Sequence, residues 1–189
     1  ADAVLTAYYP GQEGGFAIAD VLFGDFNPAG RLPFSVPRSV GQIPLYYNKK
    51  APQSHDYVEM SASPLYPFGY GLSYTSFDYS DLHLSVLTPR SFEVSFKVRN
   101  TGKYDGEEVA QLYLRDEYAS VVQPLKQLKH FARFYLKSGE EREVKFVLSE
   151  EDFSLVDRNL KRIVEPGTFQ IMIGAASDDI RLQTKVEIK

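Results

Sequence analysis

Carboxylates are the residues of this sequence best suited to chemistry. They gather at Glu107-Glu108, Glu140-Glu141, Glu150-Glu151-Asp152 and Asp178-Asp179, while Glu13 stands alone behind Pro10-Gly11. A converging pair of carboxyl groups can act as acid and nucleophile, but the spacing here argues against convergence. Adjacent residues of a strand point to opposite faces, so Glu107 and Glu108 cannot meet. All four clusters, Glu107-Glu108 included, lie beside turns or on polar strand faces, where carboxylates are expected to stay hydrated. Glu13 opens a predicted helix and is expected to complement its dipole. Arg31 is expected to pair with Asp20 or Asp25 and lock a loop. His55, His83 and His130 are far apart and lack the spacing of a metal-ligand set, so no metal site and no cofactor are expected. Lys126, Lys129, Arg133 and Lys137 would line up on a helix but divide between the faces of a strand, where solvation accounts for them.

The elements that position these residues change character midway. Ala3 to Tyr9 is an apolar run closed by Pro10-Gly11, the pattern of a buried strand ending in a turn. Gln12 to Phe23 follows with Ala17, Ile18, Val21 and Leu22 on one helical face and Gly24 as its stop. Arg31 to Pro37 is a short proline-bounded strand. One strand-helix-strand unit cannot bury its own apolar faces, so residues 1–71 are expected to end a larger α/β domain and to expose Val4, Leu5, Val21 and Leu22. Residues 48–63 are irregular. The stretch Pro64 to Phe77 carries five aromatics, two prolines and two glycines, the composition of a connector pinned against a surface. Beyond it the period becomes two, as in Phe92, Val94, Phe96 and Val98, and turn chemistry recurs at Asn100-Thr101-Gly102, Ser138-Gly139 and Pro166-Gly167. Leu125, Leu128, Phe131 and Phe134 have a spacing of three, yet the length and neighbours favour another strand. The predicted fold is mainly β: a β-sandwich over residues 72–189 preceded by the terminal strand-helix-strand of an α/β domain over residues 1–71.

Composition bounds the partners. The chain has no Cys, hence no disulfide framework or thiol chemistry, and its net charge of -4 argues against nucleic acid or an anionic membrane. No apolar run is long enough to span a bilayer as a helix. The 13 Tyr and 13 Phe lean toward β structure.

Several stretches together resemble the C-terminal portion of family 3 glycoside hydrolases, the β-glucosidase and β-xylosidase group. They are Tyr9-Pro10-Gly11-Gln12-Glu13-Gly14-Gly15, Asn27-Pro28-Ala29-Gly30-Arg31-Leu32-Pro33, Tyr66-Pro67-Phe68-Gly69-Tyr70-Gly71-Leu72-Ser73-Tyr74-Thr75 and Gly106 to Tyr113. The resemblance implies a fibronectin type III-like sandwich. It also implies that the nucleophile aspartate and acid/base glutamate belong to regions preceding these stretches. No catalytic residue is therefore expected here, and the chain alone should be inactive. Its parent is expected to hydrolyse terminal β-D-glucosides with retention, in the periplasm or outside the cell. The alternatives are a β-xylosidase parent or a non-catalytic carbohydrate-binding or scaffolding module. Expected partners are a β-linked oligosaccharide or aryl glycoside through the parent, and either upstream catalytic domains or a second copy against the exposed apolar surface. The irregular loop supplies His55, Asp56 and Tyr57 as candidate substrate-binding residues, since rings and carboxylates suit sugar faces and hydroxyls and the region resembles one lying between domains.

Overall fold

The period-two residues build two facing antiparallel sheets, because each strand has one apolar face to bury. The structure, a computed structural model, describes residues 2–50 and 56–189. The strands are β1 (Phe77–Thr88), β2 (Ser91–Asn100), β3 (Gly106–Asp116), β4 (Gln127–Leu136), β5 (Glu141–Leu148), β6 (Leu155–Val156), β7 (Arg162–Ile163), β8 (Gly167–Ala176) and β9 (Asp179–Ile188). One sheet has the order β1-β2-β5 and the other β4-β3-β8-β9, while β6 and β7 form a small hairpin. Val94, Phe96 and Val98 share the inner face with Val144, Phe146 and Leu148, and meet Ala110, Leu112, Ile171 and Ile173 across the sandwich. Each of these valine, leucine, isoleucine and phenylalanine side chains contributes roughly 1.5–3 kcal/mol when fully buried. The expectation of a mainly β, fibronectin-like sandwich holds.

Segment 125–134 turns into a strand from Gln127 onward, as its neighbours favoured: β4 pairs with β3 from Gly106↔Leu136 to Leu114↔Gln127. Phe134 and Leu136 are buried while Phe131 is exposed, so a spacing of three was accidental.

The preceding segment forms its helix, α1 (Gly14–Phe23), ended by Gly24 in the left-handed region at φ 87. Its flanks differ from the expected strands. Residues 2–9 form no strand, since no sheet partner for them lies among the described residues. The 31–37 stretch pairs with the connector instead of a sheet: Leu32 N donates to the Tyr70 carbonyl, Gly69 N to the Leu32 carbonyl, and Val36 N to the Tyr66 carbonyl. Val36 and Tyr66 form an isolated bridge. Val4, Leu5 and Leu22 are exposed as expected, joined by Phe16 and Phe23, whereas Val21 is half-buried.

Asn100 ties the end of the sandwich together. It is fully buried, its Nδ2 donates to the carbonyls of Tyr104 (2.8 Å) and Leu136 (3.1 Å), and its Oδ1 accepts from the Thr75 hydroxyl (2.6 Å) and Gly102 N (3.1 Å). Asn100→Ala strands these partners away from water, and leaving one buried group unsatisfied costs about 1–3 kcal/mol. Urea unfolding of Asn100→Ala should therefore show a loss of at least about 2 kcal/mol, against little change for Ser95→Ala on the outer face of β2.

Candidate functional site

Glu108 has the same strand parity as Ala110 and Leu112, which turns its side chain inward at the end of the sandwich. A carboxylate there must be paired, because an isolated buried charge is very costly. Arg31 supplies the partner from the segment after α1: its Nη2 lies 3.2 Å from Glu108 Oε2, with side-chain exposures of 9% and 4%. The Tyr79 hydroxyl donates to Glu108 Oε1 at 3.2 Å. Burial and then the Glu108 charge raise the Tyr79 phenol well above its ordinary value, so it stays a donor. Arg181 completes the group. Its guanidinium lies 5.0 Å over the Tyr79 ring, reaches Asp179 at 2.9 Å, and donates to the Phe77 carbonyl.

This overturns two expectations. Arg31 pairs with Glu108 rather than with Asp20 or Asp25, and Glu108 is buried rather than solvated. Asp20 lies on α1 and Asp25 just beyond it, whereas the Leu32–Tyr70 ladder carries Arg31 to the sandwich end. The neighbouring Glu107 stays on the other face and pairs with Arg133. Glu13 does not serve the first turn as expected: it is the residue before the helix and makes no side-chain cap bond. Asp152 is also less solvated than expected, since its Oδ2 accepts from Ser149 N and its Oδ1 lies 3.4 Å from His130 Nε2. Lys126, expected to be merely solvated, donates to the Ser177 carbonyl.

The connector is pinned by three further devices. Asn27 Oδ1 accepts from the Ser73 hydroxyl and Tyr74 N, both at 2.8 Å, while its Nδ2 donates to the Asp105 carbonyl at 2.8 Å. Buried Gln111 donates from Nε2 to the carbonyls of Gly69 (3.3 Å) and Ala175 (2.6 Å) and accepts from the Tyr113 hydroxyl. Gly69 adopts φ 81, and a Cβ there would sit 2.2 Å from Gln111 Oε1. Phe68 stacks on Tyr47 with centroids 4.1 Å apart, and Tyr47 meets Tyr113 edge-on at 6.1 Å.

The candidate binding loop is fastened separately. Asp56 Oδ1 accepts from Ala62 N (2.8 Å) and from the Ser61 hydroxyl (3.2 Å), closing residues 56–62 on themselves. Buried Gln42 holds the loop's far end by donating to the carbonyls of Ala62 (2.9 Å) and Ser63 (3.1 Å). Tyr57 is exposed, and His55 lies outside the described residues. Loop 56–62 and the Arg31–Glu108 group are thus distinct features. No group of three or more potential metal ligands occurs among the described residues, and no helix among them is long and apolar enough to cross a membrane.

Sequence reasoning missed Glu108, Tyr79, Arg181 and Gln111. Strand parity carried the signal for Glu108, since it extends the Ala110, Leu112, Leu114 series toward the strand start. Removing one partner of a buried ion pair costs about 3–5 kcal/mol, because the other charge is left uncompensated. Arg31→Ala should therefore destabilise the chain by about 3 kcal/mol, and adding Glu108→Gln should recover much of that loss in urea unfolding.

Residues 1–74 match the model of the glycosyl hydrolase family 3 C-terminal domain, and residues 108–177 match that of the fibronectin type III-like domain. The chain is 46% identical over 96% of its length to a periplasmic beta-glucosidase of Salmonella typhimurium, and 44% identical over 95% to a beta-xylosidase of Formosa agariphila. A crystal structure of a Listeria innocua beta-glucosidase mutant in complex with laminaribiose superposes with a TM-score of 0.92, at 37% identity, over 100% of this chain and 28% of that one. The chain spans about a quarter of the length of the curated relatives it matches, 26% of each of the two named here. With its two segments matched in order by those two models, and with relatives of this similarity along nearly its whole length, the chain belongs to family 3 of the glycosyl hydrolases, whose C-terminal and fibronectin type III-like domains it carries.

Proposed function

We propose that this chain is the scaffold-bearing C-terminal part of an enzyme that hydrolyses terminal non-reducing β-D-glucosides with retention. The observation that carries the reading is the exposure of Val4, Leu5, Phe16, Leu22 and Phe23 in and before α1, together with Leu65, Leu72 and Tyr74 of the connector. On this reading upstream catalytic domains cover these apolar side chains. The chemistry needs two carboxyl groups roughly 5–5.5 Å apart. The buried carboxylate here, Glu108, is committed to Arg31 and Tyr79 and is not free to serve as either. On this reading the chain alone is inactive and positions its catalytic neighbours. The division into residues 1–71 and 72–189 belongs to the same proposal; the start of β1 at Phe77 and the end of the first family match at residue 74 support it.

Glucose is favoured by the beta-glucosidases among the relatives. A β-xylosidase parent is the second reading, because a relative of nearly equal identity carries that name. Mixing the chain with a polypeptide supplying the upstream domains should restore hydrolysis of an aryl β-glucoside, with the chain alone inactive. Faster turnover of an aryl β-xyloside would select the second reading, and activity of the chain alone would overturn the scaffold role.

The loop fits an outer sugar subsite in that parent. Asp56 spends one carboxylate oxygen holding the loop, which leaves exposed Tyr57 as the contacting residue, with His55 beside it in sequence. Tyr57→Ala in the longer enzyme should raise KM several-fold while leaving kcat nearly unchanged, the pattern of lost uniform binding. Unaltered kcat/KM would remove Tyr57 from the site.

A further inference from the structure

Between the connector, the first residues of β1 and the β8–β9 turn lies an open cleft of about 1030 Å3. That volume is at the upper end of the ~300–1,000 Å3 typical of small-molecule sites. Arg31, Glu108 and Tyr79 stand in its wall, bonded to one another, and Arg181 is bonded to Asp179 and the Phe77 carbonyl. These bonds hold the wall rigid while keeping it polar.

Other groups in the lining are uncommitted. Ser76, Asp78 and Ser80 line the cleft along the rim of β1, are exposed, and make no side-chain hydrogen bond among the described residues. Tyr70, stacked on Tyr66 with centroids 5.2 Å apart, and Leu72 supply apolar surface beside them. Fixed aromatic surface next to free acceptors and hydroxyls matches a ligand with one apolar ring face and a rim of hydroxyl groups.

Charge narrows the class. Asp78, Glu108, Asp178 and Asp179 outnumber the two guanidiniums in the lining, and both guanidiniums already face carboxylates. An anion would enter against net negative charge. A neutral polyol meets no such barrier, and its hydroxyls can donate to Asp78.

We propose that this cleft binds a short neutral oligosaccharide, with Asp78, Ser76 and Ser80 hydrogen-bonding its hydroxyls and Tyr70 lying along a ring face. The choice of β-linked glucose or xylose rests on the function proposed above.

The test is a titration of the isotope-labelled chain followed by amide chemical shifts, using laminaribiose, xylobiose and, as an anionic probe, glucuronate. The expected result is saturable shifts at residues 70–80 and 178–181 with a neutral disaccharide and none with glucuronate. Asp78→Ala should weaken binding about tenfold, the loss expected for a hydrogen bond to a charged group, and Asp78→Asn should restore part of it. Both positions 78 and 80 are exposed and unbonded, so the same spectra will show an intact fold in the variants. Absence of shifts at the cleft, an equal response to glucuronate, or unchanged affinity in the Asp78→Ala Ser80→Ala double variant would overturn the proposal. Its fate is separable from that of the scaffold role: complementation without binding sinks the cleft alone, and binding without complementation sinks the scaffold alone.

Discussion

A carboxylate facing inward from the end of a β-sandwich has to be met by a charge from elsewhere. Glu108 is that carboxylate, and the sandwich strands that face it supply a phenol, Tyr79, but not the cation that pairs with it. The cation comes from Arg31, on a segment that lies 77 residues earlier in sequence. Once Arg31 is fixed there, the Leu32–Tyr70 and Val36–Tyr66 bonds place the connector, and Asn27 places the loop after α1. The pair, the ladder, Asn27 and the Tyr74 hydroxyl, which donates to the Val21 carbonyl, together fix where α1 lies against the sandwich. The pair need not add much net stability, since desolvation offsets attraction in buried ion pairs. What it does impose is a single docking position, because any other leaves a buried charge alone.

The outer face of the four-stranded sheet reinforces that position. In an antiparallel sheet one face commonly meets water and is polar. Here Tyr113 and Met172, opposite each other on β3 and β8 and pointing away from the sandwich core, are nonetheless buried. Tyr47, itself stacked on Phe68 of the connector, meets Tyr113 edge-on, and Gln111 binds the carbonyl of Gly69. The sheet is therefore packed on both sides, by the sandwich core on one and by the connector on the other. The aromatic-rich stretch acts as a third layer over part of the sheet and not as a tether between independent bodies.

Much of this was legible in the sequence where a local rule governs. The alternation of Phe92, Val94, Phe96 and Val98, the Gly24 stop of α1, and the pinned character of residues 64–77 follow from periodicity, backbone conformation and aromatic burial. The failures share a cause. Ala3 to Tyr9 reads as a strand because its side chains suit one, but a strand exists only with a partner, and partners are not a local property. Arg31 had acidic neighbours at 20 and 25, so sequence proximity pointed to them; the actual partner is chosen by where the Leu32–Tyr70 ladder leads. Glu108 was misread because a doublet of glutamates looks solvated, although strand parity puts its two members in opposite environments. Of the loop candidates, Asp56 closes its own loop, an employment that depends on Ser61 and Ala62 returning to it and so is not visible in residue type.

The short ladder between residues 32–36 and 65–70 also defines what lies between its rungs. Everything from Pro37 to Pro64 is an excursion whose two ends are already held together by backbone hydrogen bonds. For a chain segment closed in this way, doubling its length costs only about 0.6 kcal/mol in closure entropy. The excursion has one further fixed point between those ends, where Tyr47 meets Tyr113 edge-on and the Lys49 carbonyl accepts from Leu125 N. It is a loop pinned at both ends and once in its middle, and length can change between those pins while the connector and the sandwich stay in register.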